Sequence, residues 1–188
     1  MVIKILIGLA VVIVLLVVVI ASRPSAFTVV RSTTISAPAE VPFERVNDFR
    51  AWQSWSPWEK KDPQMKRTYG EKTAGVGATY AWAGNGNVGE GKMTIERSDR
   101  PSVVGIKLEF FKPFAGTNTA TIAFAPVAEG TKVTWTMDGK YNFITKGMSL
   151  VMNMDKMIGN DFEAGLAAIK AESETAAKSG RRATAAAN

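Results

Sequence analysis

The sequence predicts an α+β protein in which a curved, seven-stranded antiparallel sheet wraps around a long C-terminal helix. Two short helices follow the first strand, and a transmembrane helix precedes the domain. After residue 63, six segments alternate apolar and polar side chains with a period of two, and Gly, Pro, Asn or Asp bounds each segment. Residues 144–177 then repeat apolar side chains at helical spacing. Short links between the six segments favour antiparallel pairing of consecutive strands.

The first 26 residues predict a single-pass membrane anchor and a linker. Residues 5–22 carry no charge and consist mainly of Val, Ile and Leu between Lys4 and Arg23. This length just crosses a hydrocarbon core of about 30 Å. A cleaved signal peptide is the main alternative, although Arg23 and Pro24 disrupt the usual cleavage site; a buried soluble helix is a third. Lys4 slightly favours an extracytoplasmic domain.

The excess positive charge lies outside the predicted domain of residues 27–176. The chain has a net charge of +6, but residues 24–176 hold 18 Lys and Arg against 17 Asp and Glu. Three further basic residues lie in the segment 177–188, which is rich in Ala, Ser, Gly and Thr and predicts a disordered basic tail. A nearly neutral domain does not suit nucleic-acid binding, so no nucleic-acid partner is expected.

The chain contains neither histidine nor cysteine. Catalysis by Ser-His-Asp or Cys-His groups is therefore excluded, as are thiol redox chemistry and metal sites that need His or Cys ligands. We expect no cofactor and no metal. Any chemistry has to come from carboxylates, Lys, Tyr, Ser or Thr side chains, or the backbone.

Residues 27–36 are rich in Val, Thr and Ile and predict the first strand. A helix follows over 38–49, where Phe43, Val46 and Phe49 recur at helical spacing and Pro42 delays or bends its start. A second helical segment, 50–55, ends before Pro57, because a residue that precedes proline avoids the α region. Three tryptophans fall in this stretch, W-x-x-W-S-P-W, and either pack in the core, line a pocket or insert into a membrane surface.

The six later strands are predicted at 65–69, 78–83, 88–97, 103–111, 117–125 and 132–141. Asn85-Gly86 and Glu129-Gly130 predict tight turns between neighbours. Residues 84–89 fit the dinucleotide-binding pattern G-x-G-x-x-G letter for letter. Because a strand and not a helix follows this segment, it is interpreted as a hairpin turn.

Three stretches carry a family resemblance: WSPWEKKDPQMK, GVGATYAWAGNGNVGEGKMTI and NMDKMIGNDFEAGL. Together with the element order, they resemble the SRPBCC superfamily, which comprises START-like, Bet v 1-like and polyketide cyclase/dehydrase-like proteins of helix-grip fold. The resemblance covers about residues 27–172. It implies a hydrophobic ligand held between sheet and helix. This scaffold also occurs in lipid-transfer domains, hormone receptors, aromatase/cyclases and co-chaperone-like domains. The fold alone therefore does not identify the function. The resemblance identifies no catalytic residue.

Alternation along the strands places bulky apolar side chains on the face that meets the C-terminal helix. These side chains either line a ligand cavity, as in a helix-grip domain, or fill a closed core. Methionines on the C-terminal helix would add a deformable wall to such a cavity. The predicted ligand-contacting residues are Trp55, Trp58, Tyr80, Trp82, Met93, Leu108, Phe110, Phe124, Trp135, Met137, Met148 and Met152.

Three functional hypotheses follow from this predicted architecture. The first is a membrane-anchored domain that binds a hydrophobic small molecule, such as a lipid, an isoprenoid or an aromatic polyketide-like compound. The second is a polyketide cyclase- or dehydratase-like enzyme that uses the same cavity, with Tyr80, Asn118 and Asp155 as candidate catalytic residues. The third is a co-chaperone-like or envelope interaction domain that needs no cavity. The sequence carries no signal for an oligomeric state.

Overall fold

A computed structural model describes the backbone of residues 1–186 and the side chains of residues 1–180. One helix and one strand are followed by three short helices, six consecutive strands and two C-terminal helices. The elements are α1 (Val2–Ser22), β1 (Ala26–Ile35), α2 (Glu40–Asn47), α3 (Trp52–Trp55), α4 (Pro57–Lys61), β2 (Lys66–Tyr69), β3 (Thr79–Ala83), β4 (Glu90–Asp99), β5 (Val103–Lys112), β6 (Gly116–Val127), β7 (Gly130–Lys140), α5 (Phe143–Met148) and α6 (Met154–Ala186).

The strands form one antiparallel sheet in the order β1-β7-β6-β5-β4-β3-β2, which confirms the predicted architecture. Strands β2 to β7 follow one another as a meander, and β1 pairs with β7. The register places Ala26 opposite Lys140 and Phe110 opposite Gly116. One end of the sheet therefore holds the start of β1, the end of β7 and the β5–β6 turn. We call it the α1 end, because α1 precedes β1 there.

Helix α6 crosses the concave face of the sheet and supplies Phe162, Leu166 and Ile169 to the core. Phe162 stacks on Trp135 of β7, with ring centroids 4.1 Å apart and an interplanar angle of 11°. Trp52 and Trp55 are also buried. Their indole N–H groups donate to backbone carbonyls of α2, at 2.9 Å for Trp52 and 3.0 Å for Trp55. Both tryptophans therefore fix α3 against α2.

The predicted long C-terminal helix is confirmed as α6, but it begins at Met154 and not near residue 144, because the short helix α5 and a break precede it. An asparagine precedes each of the two helices. Asn142 caps α5 by accepting a hydrogen bond from the Thr145 N–H at 2.8 Å, and Asn153 accepts one from the Lys156 N–H at 2.9 Å before α6. The cap at Asn153 starts a new helix, so the five residues 149–153 lie outside both helices.

Two other elements differ from the sequence prediction. A third short helix, α4, follows α3, because Pro57 occupies a first helical turn, where its missing N–H is not needed. Helix α6 continues to Ala186 through the segment predicted as a disordered tail from residue 177. Alanine, the strongest helix former, is frequent there. Residues 187 and 188 of that tail lie outside the described residues.

Helix α1 has a mean hydropathy of 3.4 over its most apolar window, and none of its residues is buried. The alternative of a buried soluble helix is therefore wrong. By length and composition α1 can cross a bilayer. A membrane anchor and a signal sequence share this length and composition.

Candidate functional site

A cavity of about 390 Å³ lies between the concave face of the sheet and α6. Its wall consists of side chains from β1 and from β3 to β7, from the short helices α3, α4 and α5, and from the first three turns of α6. The sheet and the helix therefore do not meet in solid contact along their whole length. Of the two predicted alternatives, the structure has the cavity and not the closed core.

The cavity has a buried inner end and an exposed mouth. Tyr80, Trp135 and Phe162 lie at the inner end and are almost completely buried. The mouth lies at the α1 end of the sheet, where the turns 86–89 and 113–116 and the start of α5 contribute to the wall. The exposed wall residues Phe114 and Met157 belong to this mouth.

Eight of the twelve predicted ligand-contacting residues line the cavity. Period-two alternation located seven of them, because each inward-facing position of a curved sheet faces the same interior. Trp58 is the eighth and comes from α4. The eight are Trp58, Tyr80, Trp82, Met93, Leu108, Phe110, Trp135 and Met137.

The other four predicted residues do not line the cavity. Trp55 is fully buried behind Trp135, with ring centroids 5.8 Å apart. Phe124 has the correct parity on β6, but it lies beyond the cavity and packs against Phe43 of α2 at 5.6 Å. Met148 ends α5 and Met152 lies in the break before α6, because the C-terminal helix is interrupted there.

Sequence reasoning found only part of the wall that α4 and α6 supply: Trp58 of α4 and the methionines of the C-terminal helix were predicted, and the other wall residues of these helices were missed. In α6, Met154, Met157, Ile158, Asp161 and Phe162 line the cavity at helical spacing. Recognition of Asn153 as a helix N-cap would have placed the start of α6 correctly and predicted that these residues face the sheet. Glu59 and Lys61 of α4 also line the cavity. They fall in the charged run W-E-K-K, which in sequence looks like a solvated surface.

Glu59, Tyr80 and Arg67 form a hydrogen-bonded network in the wall. The Tyr80 hydroxyl donates to Glu59 Oε1 at 2.7 Å, and Arg67 Nε donates to Glu59 Oε2 at 2.6 Å. The Glu59 residue is only 8% exposed. Burial, aided by the hydrogen bond to Glu59, raises the pKa of the Tyr80 phenol far above its usual range, so the hydroxyl stays protonated. Both Glu59 oxygens are therefore engaged within the wall.

A second charged pair joins the two helices of the wall. Lys61 Nζ of α4 donates to Asp161 Oδ2 of α6 at 2.6 Å, and both residues line the cavity. This contact fixes α4 against α6. Among the side chains that the structure describes, no group of three or more carboxylates is placed to hold a metal ion.

Asp155, a candidate catalytic acid from sequence, does not line the cavity. It lies in the first turn of α6, where Arg31 of β1 donates to both of its carboxylate oxygens at 3.1 Å. These hydrogen bonds lower the pKa of Asp155. Asn118 does line the cavity, and its side-chain amide contacts the sulfur of Met137 at 3.8 Å.

The indole N–H of Trp135 is a buried donor without an acceptor. Trp135 is 3% exposed and lines the cavity, and among the described side chains only its Nε1 and Ser173 Oγ are buried without a hydrogen-bond partner. A buried donor that loses water without gaining an acceptor costs about 1–3 kcal/mol. The nitrogen itself exposes almost no surface, so this donor lies within the wall and not on the surface of the cavity.

Comparisons with known proteins give a family and a fold. The family model for polyketide cyclase/dehydrase and lipid transport matches residues 26–174. No curated protein matches the chain.

Three solved structures show the same fold. The Zhui aromatase/cyclase from a Streptomyces species is 16% identical, covering 79% of this chain and 94% of its own, with a TM-score of 0.58. The di-domain ARO/CYC StfQ from the steffimycin biosynthetic pathway is 9% identical, covering 82% and 52%, with a TM-score of 0.60. The Aha1 dimer from Colwellia psychrerythraea is 13% identical, covering 79% and 96%, with a TM-score of 0.57. At these identities the likeness concerns the fold alone.

Proposed function

The chain belongs to the polyketide cyclase/dehydrase and lipid transport family, and from this premise we propose that it binds a hydrophobic small molecule in its cavity while α1 anchors it to a membrane. The candidate ligands are a lipid, an isoprenoid or an aromatic polyketide-like compound. The observation that carries the proposal is the cavity itself: about 390 Å³ of space enclosed mainly by aromatic and aliphatic side chains.

The charged side chains of the wall already have hydrogen-bond partners, and this favours binding over catalysis. Glu59 is held by Tyr80 and Arg67, and Lys61 is held by Asp161. A general base has to accept a proton from its substrate. Glu59 already accepts a hydrogen bond at each oxygen and Asp161 accepts one at Oδ2, so neighbouring side chains hold both carboxylates in place. An apolar ligand would leave every one of these contacts in place.

The Asn118 side chain narrows the chemistry of the ligand. It lines the cavity, and its amide contacts only a weak acceptor, the Met137 sulfur, at 3.8 Å. We therefore expect an apolar molecule that carries one hydrogen-bond acceptor, such as a carbonyl, ether or hydroxyl oxygen.

Two alanine substitutions on β6 test the proposal. Ala120 is buried and lines the cavity, so a phenyl ring at this position would occupy ligand space. Ala123 lies three residues later on the outer face, and its replacement by Phe is the matched control. The full chain is purified in mild detergent from its native host, and small molecules that remain bound are identified by native mass spectrometry.

We expect a bound apolar molecule at near-stoichiometric level in the wild type and in Ala123→Phe, and its loss in Ala120→Phe. Near-UV circular dichroism verifies that both variants retain native tertiary packing. The proposal is wrong if no such molecule accompanies the folded wild type, or if the same molecule binds all three proteins equally well.

An enzymatic role is the second candidate, because Glu59 and Tyr80 do converge on the cavity wall. In that case substrate binding would have to displace the Tyr80 hydroxyl from Glu59. The Glu59→Gln variant separates the two functions. A lipid extract of the native host is incubated with each protein and analysed by mass spectrometry. A product that forms with the wild type and not with folded Glu59→Gln would favour catalysis over binding alone.

A further inference from the structure

The cavity mouth and α1 lie at the same end of the domain. Ser22 ends α1 and Ala26 begins β1, so only three residues separate them. Even fully extended, this linker spans about 14 Å from Ser22 to Ala26. Ala26 pairs with Lys140 at the end of β7, and the next residue, Tyr141, lines the mouth and donates its backbone N–H to the Ser25 carbonyl at 2.9 Å. Whatever surface holds α1 therefore lies close to the mouth.

Helix α5 connects the mouth directly to α1. Its Thr145 lines the cavity, whereas Lys146 Nζ lies 3.5 Å from the Ala21 carbonyl oxygen at the end of α1. A Cβ at Gly147 would lie 3.5 Å from Ile20 Cδ1. One face of α5 thus belongs to the cavity wall and another contacts α1.

The α5 segment, which we define as residues 143–152, exposes a cluster of apolar side chains beside the mouth. Phe143 is 54% exposed, Ile144 is 56% exposed and Val151 is 87% exposed. Phe114 and Met157 add exposed apolar surface on the mouth itself. Apolar clusters of this kind on a protein surface mark sites of contact with a protein or a membrane.

The charges around the segment match an anionic lipid surface. Residues 141–153 contain no Asp or Glu, and the basic residues Arg23, Lys140 and Lys146 lie beside or within the segment. Basic residues near apolar ones favour the headgroup region of a bilayer, where each contributes attraction to acidic phospholipids. Continuity with α1, a helix that can itself cross a bilayer, identifies the occupant as a membrane and not a second protein.

We propose that the α5 segment inserts into the interface of the same bilayer that holds α1, so that the cavity opens directly onto lipid. The proposal rests on α1 serving as the anchor of the proposed function. It adds a route: a hydrophobic ligand passes between the bilayer and the cavity along α5 without crossing water. Such a route removes the free-energy cost of exposing the apolar surface of the ligand to water.

Single spin labels test this orientation in the full chain. Because the protein has no cysteine, one introduced cysteine carries the only label. The test site is Val151→Cys. The matched control is Val76→Cys, a 54% exposed valine between Gly75 and Gly77. Gly77 pairs with Ile95, five residues along β4 from Glu90, so the control site lies about 17 Å farther from the mouth.

Both labelled proteins are reconstituted in vesicles of phosphatidylcholine and phosphatidylglycerol, and power-saturation EPR compares the access of oxygen and of a water-soluble nickel chelate. We expect the label at position 151 to lie about 5–10 Å below the headgroup surface, with high oxygen access and low nickel access. The label at position 76 should remain fully accessible to nickel.

Equal nickel access at the two positions would overturn the proposal. Spin–spin broadening at position 151 that disappears on dilution with unlabelled protein would identify a second copy of the chain as the occupant, and would also overturn it. Neither readout depends on a bound ligand. A failure of the α5 segment to insert is therefore distinguishable from a failure of ligand binding, which mass spectrometry measures separately.

Discussion

Replacement of Tyr80 by Phe measures what the Glu59 network contributes to the fold. The substitution keeps the ring and removes one hydrogen bond, 2.7 Å long, to a carboxylate that is almost completely buried. Hydrogen bonds to charged groups contribute about 1.5–3 kcal/mol. We therefore expect the free energy of unfolding to fall by that amount, or the Tm by about 3–12 °C for a chain of this size.

Thermal unfolding of the full chain in detergent, followed by near-UV circular dichroism, gives the measurement. Tyr69→Phe is the matched control, because the Tyr69 ring lies 5.2 Å from Tyr80 but its hydroxyl only accepts a hydrogen bond from Gln53 at a partly exposed position. The Tyr69→Phe substitution should lower the free energy of unfolding by about 0.5 kcal/mol or less. If Tyr80→Phe unfolds at the wild-type temperature, or if Tyr69→Phe is the more damaging change, the network does not stabilise the wall as described.

Two further predictions concern the C-terminal helices. Gly147→Ala should stabilise the protein and Gly165→Ala should not. Both substitutions gain about 1 kcal/mol of helix propensity. A Cβ at Gly165 would lie 2.9 Å from the Trp135 ring, whereas a Cβ at Gly147 would make only an ordinary van der Waals contact. Urea unfolding of both variants measures the change in stability, and an equal gain in the two variants would contradict this prediction. Acidification should loosen the start of α6, because Arg31 lowers the pKa of Asp155. This contribution is present above the ordinary carboxylate pKa of about 4 and is lost as pH falls through the lowered value. Hydrogen exchange of α6, corrected for intrinsic rates, should show this loosening in the wild type and not in Asp155→Asn.

Strand periodicity was a reliable guide because it reports one local property, the face on which each side chain lies. Tyr80, Trp82 and Met137 were placed correctly from alternation alone. Alternation does not say where along a strand the cavity ends. Phe124 shares the parity of these residues, yet α2 covers that end of β6 and converts the position into closed core.

The helical wall was harder to predict because tertiary contacts set its direction. The sequence between residues 144 and 177 has continuous helical spacing, but the cap at Asn153 starts a new helix and so divides it. This division moves Met152 away from the cavity and turns Asp155 toward Arg31. Glu59 was missed for a different reason. Its burial depends on Arg67 and Tyr80, which lie 8 and 21 residues away in sequence, and no local pattern shows that pairing.

An empty cavity of this size would lower the stability of the domain, so the cavity volume favours the binding of a ligand. Apolar cavities cost about 24 cal/mol for each Å³, so a closed and empty space of 390 Å³ would cost about 9 kcal/mol, comparable with the entire stability of a domain. The exposed mouth lowers that cost without removing it, because Trp135 and Phe162 still line a buried inner end. A ligand that fills the space regains dispersion contacts with these rings. Since Glu59 and Lys61 already have partners within the wall, filling the cavity leaves no buried charge unpaired, and the free energy gained on binding is opposed mainly by the ordering of the ligand.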